Sequence, residues 1–544
     1  MPLPPPVVRA SFAPALLWVA GLLLWVATST GRAAPSPASD ATSDATSEQI
    51  AVFAKAFKQG AKSPKDATAR GDAIALLGDG DGPQLAKALV DNYADVADEL
   101  LDLQARKEEV DARIETMVKG QEFTKRTLDS GAMAAYDALC RETGALGEAI
   151  EALHGLQKRL LERAERLDGD PAVGWLVSNV IGAKKLPLSL KLFVARAAGG
   201  RGEPFAVPLM KALARATAAE ELAVVLEGLA SCGRAAQECA PTVLKALQHD
   251  DTAVREQAAW ALAHFAAPEA IEPLIARLEL ESGRTQRRMG VALEILTGVQ
   301  LGDSPRAWRD WLAKEGAEYV AGKHPLSKGR SKLADALSAP ADPKKGVYYY
   351  GIPQEGKSIV YVIDCSGSMM ASIKHPGGDG PPVDAGPDSR MEATKEALIE
   401  VLGKLTKDDK FAIVCFNDVV VPYAKAMTPA TPAEIKKAQA WVKALAPLQT
   451  TNIHDALEQA FALAGRGAQD KYYKSVVDTI FLLTDGSPTK PDNTPDSTER
   501  ILESVRRWNP TKHVVIHTIG IGKGLNVNFL QQIAKENGGR FVQQ

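Results

Sequence analysis

Apolar residues in the first third of the chain recur at the spacing of a helix that buries one face. They step by three, four or seven positions at Tyr93, Val96, Leu100, Leu103, Val110, Ile114 and Met117, and Lys107 interrupts them. A second series steps by seven, at Leu139, Leu146, Leu153, Leu160 and Leu167. The segment LDSGA, residues 128–132, separates the two series. The pattern predicts two long helices that fold back as an antiparallel coiled-coil hairpin within residues 49–170.

The chain repeats itself between residues 185 and 320. The segments VPLMKAL, APTVLKAL and EPLIARL align Leu213, Leu247 and Leu278, at spacings of 34 and 31 residues. The segments LEGLA, AWALA and LEILT align Leu229, Leu262 and Leu296, at spacings of 33 and 34 residues. Two amphipathic helices per period predict an α-solenoid, which resembles short HEAT-type repeats, and Trp308 with Trp311 would close the stack. Such an array either binds a protein or only spaces its neighbours.

The pattern changes after residues 321–346, a Pro-, Lys- and Ser-rich segment that we interpret as a linker. Apolar runs now alternate with helix-like stretches, and the runs are Ile359–Ile363, Phe411–Phe416, Ile480–Leu483 and Val514–Ile521. Strands that are apolar on both faces belong to a mainly parallel sheet with helices on both sides. The predicted fold is therefore multidomain: a helical hairpin and an α-solenoid, followed by a doubly wound α/β domain over residues 347–544.

Oxygen-bearing side chains follow the predicted strands. Asp364, Ser366 and Ser368 leave the first strand in the sequence DCSGS, and Asp485 leaves a later strand in TDGS. In sheets of this type ligands bind beyond the carboxyl ends of the strands, so these side chains are expected to converge there. Hard oxygen ligands with only two carboxylates suit a small divalent cation, Mg²⁺ or Mn²⁺.

Residues 356–544 resemble a von Willebrand factor type A (vWA) domain, because DCSGS matches the Asp-x-Ser-x-Ser signature of its metal-ion-dependent adhesion site. In the family, a threonine loop and a distal aspartate complete this site; they resemble QTTNIHDAL and LLTDGSPT, which implies Thr451 and Asp485 as ligands. Thr450 is the alternative threonine. The resemblance also implies that the serines and the threonine approach the metal closely. The aspartates often act through water, and one coordination position is left for a carboxylate of a protein partner.

Two features depart from the family pattern. Residues 371–389 form a long segment rich in Gly, Pro and Asp, which either sets specificity at the rim of the site or is a disordered insertion. The sequence ends at GGRFVQQ, which reads as the last strand, without the final helix that regulates affinity in the integrin branch. We therefore expect no switch of that kind.

The N-terminus predicts export. An apolar run from Phe12 to Ala27 precedes small residues at Gly31 and Ala33, so residues 1–34 read as a cleaved signal peptide or a retained anchor, and residues 35–48 as a low-complexity linker. The protein is expected outside the cytoplasm: secreted, periplasmic or on the cell surface. With five cysteines, one must stay unpaired in a monomer. Cys232 and Cys239 either form a local bridge or are reduced and buried.

Composition and motifs narrow the function. The chain has 64 Lys and Arg against 67 Asp and Glu, so no overall field attracts nucleic acid. No Gly-x-Ser-x-Gly motif is present, and Ser366 stands where a phosphotransferase would need a second carboxylate. His454 is interpreted as a residue at the start of a helix rather than an acid or base. We therefore do not expect an enzyme.

The function expected from the sequence is an exported, metal-dependent, adhesion-type protein-binding module carried on a helical scaffold. Its partner would supply an Asp or Glu carboxylate to Mg²⁺ or Mn²⁺. The alternative is a structural or assembly scaffold in which the solenoid and hairpin bind partners and the metal only stabilises its own domain. The hairpin itself is expected to be a spacer, because each helix satisfies the apolar face of the other. A metal-dependent hydrolase is a third and weaker hypothesis.

Overall fold

The computed structural model describes most of the chain after its N-terminal segment. The described residues are 47–57, 64–118, 129–216, 218–323, 347–354, 356–372, 388–447, 450–463, 477–490, 494–510, 512–522 and 525–544. The predicted signal segment, residues 35–46 of the predicted 35–48 linker, residues 324–346 of the second linker and most of the insertion at 371–389 lie outside this range. Residues 47 and 48 begin the first helix.

The predicted hairpin is present. Helices α1 (Ser47–Phe57) and α2 (Pro64–Ala75) precede two 36-residue helices, α3 (Pro83–Val118) and α4 (Ser130–Glu165). The latter two pack antiparallel, and their shared face forms one core with the solenoid near its base and a separate core, containing Val110, Ile114, Tyr136 and Leu139, near its tip. Asp129 caps α4 by accepting a 2.8 Å hydrogen bond from the Ala132 amide.

The repeated segments form stacked helix pairs. After α5 (Asp170–Val180) and α6 (Leu188–Gly199), the pairs are α7 (Glu203–Arg215) with α8 (Ala219–Cys232), α9 (Ala240–Ala246) with α10 (Thr252–Phe265), and α11 (Ile271–Leu280) with α12 (Gly283–Thr297). All six leucines aligned by the repeat are buried. Helix α13 (Pro305–Trp311) ends the stack with two fully buried tryptophans, and α14 (Ala317–Val320) follows. The predicted solenoid is confirmed.

The C-terminal region is an α/β domain, as predicted. A short antiparallel pair, β1 (Tyr348–Tyr349) and β2 (Ile352–Pro353), precedes the main sheet. The main strands are β3 (Ser358–Asp364), β4 (Lys410–Phe416), β5 (Val420–Pro422), β6 (Thr428–Pro429), β7 (Thr479–Thr484), β8 (Val515–Gly520) and β9 (Phe541–Gln543). The order is β5-β4-β3-β7-β8-β9, with β6 also on β4. All pairs are parallel except those of β5 and β6 with β4.

Helices cover both faces of this sheet. The helices are α15 (Arg390–Gly403), α16 (Pro432–Ala444), α17 (Ile453–Leu463), α18 (Thr498–Trp508) and α19 (Val527–Glu536). Alternate residues of β3 enter different cores: Val360 and Val362 pack with α17, α18 and α19, whereas Ile359, Tyr361 and Ile363 pack with α15 and α16. Two buried faces explain the continuous apolar runs in the sequence. Helix α19 was not among the predicted elements.

Three helices of the solenoid, α6, α10 and α12, contact the sheet domain where the chain enters β8. Arg196 of α6 donates to the Pro510 carbonyl at 2.8 Å, and Arg288 of α12 donates to the Lys512 carbonyl at 2.8 Å. Between them, His513 lies 3.1 Å from the Glu256 carboxylate of α10. The turn that leads into β8 is therefore held by successive repeats.

Four of the five cysteines form two pairs that are close in space or in sequence, and only one of these pairs is bridged. Cys365 and Cys415, at the carboxyl ends of β3 and β4, form a disulfide across 50 residues of sequence. Cys232 and Cys239 are buried and are not bridged, so the local bridge is absent and the reduced alternative holds. Burial raises the pKa of the Cys232 thiol to about 12, which keeps it protonated and unreactive at neutral pH.

Among the described residues, no helix is both long enough and apolar enough to cross a membrane. The apolar run at residues 12–27 lies outside this search.

Replacing Cys365 and Cys415 together by alanine should lower the free energy of unfolding by about 4 kcal/mol, because the bridge restricts a long loop of the unfolded chain. Urea unfolding with and without a thiol reductant measures this. The parent should become less stable on reduction, and the double variant should not respond. The matched control replaces the buried, unbridged Cys232 and Cys239. A parent that unfolds identically in both conditions would contradict the structural role of the bridge.

Candidate metal centre

The predicted ligands come from two neighbouring strands. β3 and β7 pair in parallel with Ile363 opposite Leu483, so Asp364 lies at the level of Thr484, and Asp485 follows one position later at the same edge of the sheet. Both aspartates are buried, with 0% and 4% of their surface exposed. The sheet also changes direction at β3, since β4 follows β3 in sequence on one side and β7 lies on the other. Ligand sites of doubly wound sheets occur at such a position.

The loop after β3 places its two serines in line with the carboxylates. The Ser366 amide donates to Asp364 Oδ1 at 2.8 Å, and the Ser366 and Ser368 hydroxyls are 3.0 Å apart. Ser368 Oγ donates to Asp485 Oδ1 at 2.7 Å, which closes the path between the two strands. Thr484 Oγ1 donates to Asp364 Oδ2 at 2.5 Å. Ser368 is exposed, so the arrangement is open to solvent on that side.

Thr451 reaches the same place from a third loop. Its Oγ1 would lie 3.3 Å from a Cβ placed on Gly486, so the hydroxyl faces the turn that follows Asp485. The Thr451 amide donates to Thr489 Oγ1 at 2.9 Å, and the Thr489 amide donates back to the Thr451 carbonyl at 2.9 Å. The structure thus joins Asp364, Ser366, Ser368 and Asp485 by hydrogen bonds and places Thr451 beside the turn that follows Asp485. The neighbouring Thr450 hydroxyl is buried and has no hydrogen-bond partner among the described residues.

The ionised forms of both carboxyl groups are disfavoured by their surroundings. Burial, followed by the charge of Asp485, raises the pKa of Asp364, and burial also raises the pKa of Asp485. Arg390, the first residue of α15, partly compensates: its Nη1 donates to Asp485 Oδ2 at 2.7 Å, and its side chain is only 11% exposed. One guanidinium therefore stands against two buried carboxylates.

The donor set fits a small, hard divalent cation. It consists of two carboxylates and three hydroxyls, all oxygen donors of the kind Mg²⁺ prefers, and one of them is accessible from solvent. The raised carboxylate pKa values support this, because a cation placed there would favour the ionised forms. Asp364, Ser366, Ser368, Thr451 and Asp485 remain the predicted ligands.

A second acidic cluster lies nearby but has a different character. His454, Asp455 and Glu458, at the start of α17, could meet on one ion. Lys107 of the hairpin approaches to 3.7 Å from Asp455 Oδ2 and supplies the positive charge that an ion would otherwise bring. We therefore interpret this group as an ion-pair cluster.

A Ser–His–Asp chain of hydrogen bonds occurs beside that cluster. His454 Nδ1 lies 2.8 Å from Asp455 Oδ1, and its Nε2 lies 3.1 Å from Ser504 Oγ. Ser504 is 0% exposed in the middle of α18, and Arg507 donates to its hydroxyl at 2.8 Å. A nucleophile needs access to its substrate, which the enclosed Ser504 lacks, so we interpret this chain as a packing network rather than a catalytic triad.

Sequence reasoning missed three residues around the centre: Arg390, Thr484 and Thr489. Thr484 carries a readable signal, because it ends the apolar run one position before Asp485. Arg390 does not, since 21 residues separate it from Ser368. The bond between the Arg390 amide and the Ala371 carbonyl, 2.9 Å long, brings the ends of the insertion together and so places Arg390 at the centre.

Comparison with known proteins identifies two parts of the chain. Residues 383–542 match the model of the von Willebrand factor type A domain, and residues 206–294 match that of HEAT repeats. The bovine (Bos taurus) inter-alpha-trypsin inhibitor heavy chain H3 is 31% identical over 190 residues, which are 35% of this chain and 19% of that protein. The human (Homo sapiens) heavy chain H4 is 29% identical over 197 residues, 36% and 19% of the two chains. The chain thus spans about a fifth of the length of these relatives.

Solved structures give weaker matches. A von Willebrand factor type A protein from Catenulispora acidiphila has 20% identity and a TM-score of 0.27, covering 36% of this chain and 40% of that one. The PilB minor pilin of Streptococcus sanguinis has 15% identity and a TM-score of 0.25, covering 34% and 56%. The family models establish that a vWA domain and HEAT repeats are present.

Replacing Arg390 with methionine should destabilise the protein in chelator by about 3 kcal/mol, because one partner of a buried ion pair is lost. Mg²⁺ should reverse most of this loss, since the cation compensates the same carboxylates. Thermal unfolding in EDTA and in Mg²⁺ measures both effects. Lys404→Met, which removes an exposed pair with Glu400 on the same helix, is the control. An equal loss with and without Mg²⁺ would show that Arg390 acts independently of the cation.

Proposed function

We propose that the chain is an exported, metal-dependent protein-binding module of the adhesion type, carried on a helical scaffold. The vWA domain supports the coarser part of this statement, a protein-binding module. The observation that carries the metal dependence is the convergence of Asp364, Ser366, Ser368, Thr451 and Asp485 beyond adjacent strands, around two buried carboxylates with raised pKa values. These five residues would hold Mg²⁺ or Mn²⁺.

The chemistry of the proposed site favours an anionic ligand. Three of its five donors are neutral hydroxyls, so a divalent cation held there keeps part of its positive charge uncompensated. Ser368 is exposed, which leaves the cation reachable from solvent on that side. A carboxylate of a partner protein, from Asp or Glu, would then complete the coordination. The chain's own residues bind and orient the ion, and no bond is made or broken.

The alternative function, a scaffold that binds partners through the solenoid, has less support. Three solenoid helices, α6, α10 and α12, contact the sheet domain through Arg196, Glu256 and Arg288. At these helices the surface of the solenoid is therefore already covered by the protein's own C-terminal domain. An enzymatic role has less support still, because the Ser504 hydroxyl of the Ser–His–Asp chain is fully buried.

Export is proposed on the N-terminal sequence and is consistent with a disulfide between Cys365 and Cys415, since such bonds persist in oxidising compartments. The protein would then act in a secreted, periplasmic or cell-surface setting, either free or held by an uncleaved N-terminal anchor.

Replacing Asp364 with asparagine should abolish Mg²⁺ binding and Mg²⁺-dependent partner capture while the domain stays folded. Asparagine keeps the shape of the side chain and can still bond to the Ser366 amide. Calorimetry with Mg²⁺ and pull-downs in Mg²⁺ or EDTA measure the two effects, and Glu396→Gln, which changes an exposed acid on α15, is the matched control.

Changing the exposed acids of a captured partner singly to amides should reveal one position that the Mg²⁺-dependent interaction requires.

The outcomes separate the hypotheses. Capture that persists in EDTA and in Asp364→Asn would favour the scaffold, and unchanged Mg²⁺ affinity in that variant would refute the site. Turnover of a substrate by the metal-bound protein would restore the hydrolase hypothesis.

A cleaved signal peptide predicts a mature chain that begins between Gly31 and Pro35. N-terminal sequencing of protein from its native host measures this. An intact Met1 on protein recovered from the cytosol would contradict export, whereas an intact Met1 in the membrane fraction would identify the segment as an anchor.

A further inference from the structure

The helical hairpin contacts the sheet domain beside the candidate metal centre. Its second helix, α4, places Glu151 3.1 Å from Arg507 and 3.9 Å from Arg500, both on α18. Lys158, farther along α4, lies 2.8 Å from Glu503 of α18. These pairs fix the hairpin along the outer surface of α18. Two further contacts, from Lys107 to Asp455 and from Tyr136 to Asp418, reach residues that are bonded to the loop carrying Thr451 or adjacent to residues bonded to it.

Lys107 is the contact with the largest electrostatic consequence. It lies on α3, is only 15% exposed, donates a hydrogen bond to Asp111 at 2.8 Å and forms an ion pair with Asp455 at 3.7 Å. Burial opposes its charge, but the surrounding carboxylates, led by Asp455, outweigh burial and raise its pKa. Burial likewise opposes the ionised form of Asp455, and Lys107 holds the pKa of that carboxyl well below its usual value. The pair is charged at every physiological pH.

Asp455 in turn holds the threonine loop. Its Oδ2 accepts a 2.9 Å hydrogen bond from Asn452 Nδ2, and its amide donates to Asn452 Oδ1 at 3.2 Å. The Asn452 backbone directly follows Thr451, whose carbonyl accepts the Ile453 amide at 3.0 Å. A closed ring of bonds therefore joins the carboxylate that Lys107 contacts to the backbone that positions the predicted threonine ligand.

Tyr136 makes an independent contact with the same loop system. Its hydroxyl donates to Asp418 Oδ2 at 2.8 Å, and both residues are 7% exposed. Val419 packs against the apolar tip of the hairpin. Asn417 directly precedes Asp418, and its backbone carbonyl accepts a 2.9 Å hydrogen bond from the Asn452 amide. The hairpin thus holds Asn452 from both sides, through Asp455 and through Asn417.

We propose that the hairpin is a built-in regulator of the metal centre: its docking, through Lys107 and Tyr136, orders the loop that carries Thr451 and so sets the affinity for the cation. This inference rests on the proposed metal site and adds to it an intramolecular partner. Lys107 and Tyr136 are positioning residues, since Lys107 acts through Asp455, and Tyr136 acts through Asp418 and the adjacent Asn417. Undocking of the hairpin would loosen the threonine loop and release the cation more readily.

Thermodynamic linkage makes the proposal reciprocal. If docking strengthens cation binding by a given factor, the cation must strengthen docking by the same factor. A merely structural contact would stabilise the fold without this exchange. The two directions give two separate measurements on the purified full chain, with Mg²⁺ alone as the probe.

Lys107→Met, which keeps the apolar stem and removes the charge, should weaken Mg²⁺ binding in calorimetry by roughly fivefold to 100-fold, the usual range of coupling between sites. Tyr136→Phe should weaken it in the same direction. Lys107→Arg should restore much of the affinity, because it keeps the charge. Lys87→Met, which removes an exposed pair with Asp91 on the same helix, is the matched control and should bind Mg²⁺ as the parent does.

The reciprocal measurement needs no substitution. In the parent protein, Mg²⁺ should slow amide hydrogen exchange in residues 104–118 and 132–146 of the hairpin, which do not contain predicted ligands. It therefore decides the question even if a Lys107 variant fails to fold. Exchange in these segments that is indifferent to Mg²⁺ would overturn the coupling.

Different results would contradict the coupling and the metal site. Parent affinity in both Lys107→Met and Tyr136→Phe, with binding lost in Asp364→Asn, would overturn the coupling and leave the metal site standing. No Mg²⁺ binding in the parent, or full binding in Asp364→Asn, would overturn the metal site and the coupling with it.

Discussion

Two carboxylates buried at the ends of adjacent parallel strands are the constraint on which the C-terminal domain depends. The pairing of β3 with β7 puts Asp364 beside Asp485, and an unpaired buried charge costs several kcal/mol. Hydrogen bonds from the Ser366 amide and the Ser368 hydroxyl, with the Arg390 guanidinium, offset part of that cost. The remaining imbalance raises the pKa of both carboxyls and makes a divalent cation a fitting complement. A site built for stability alone would place apolar residues at these positions.

A second group of acidic residues lies next to the threonine loop, and its compensating positive charge comes from the hairpin, outside the domain. Helix α17 carries Asp455 in its first turn and Glu458 in the next, and Lys107 of the hairpin supplies a positive charge beside them. The arrangement makes the hairpin an electrostatic component of the domain rather than a neutral spacer, as its seam alone had suggested. The threonine loop is thus bounded on one side by the candidate metal centre and on the other by the hairpin. Its order depends on both.

Much of this architecture follows from sequence patterns, because helix and strand periodicity report which faces are buried. The hairpin, the leucine register of the repeats and the four apolar strands all have such periodicity. The short strands β5 and β6 lack it, since two or three residues are too few to show a period. The equally short β9 lies within GGRFVQQ, the segment expected to be the last strand. Arg390 lacks it too, because an insertion separates it from the signature it serves. Lys107 was visible only as an interruption of a heptad. Its meaning depended on a partner more than 300 residues away, which no local pattern can supply.

The polar character of the contacts bears on whether docking can be regulated. Apart from Val419 against the hairpin tip, the contacts described between the helical regions and the sheet domain are ion pairs and hydrogen bonds. Such groups exchange partners with water at modest net cost, so each contributes about 1 kcal/mol or less where exposed and more where buried, as at Lys107. Polar interfaces within a chain commonly permit relative motion of domains. A docking free energy of this kind can be shifted by the 1–3 kcal/mol that a coupled ligand supplies, whereas an extensive apolar interface would hold the domain in one state.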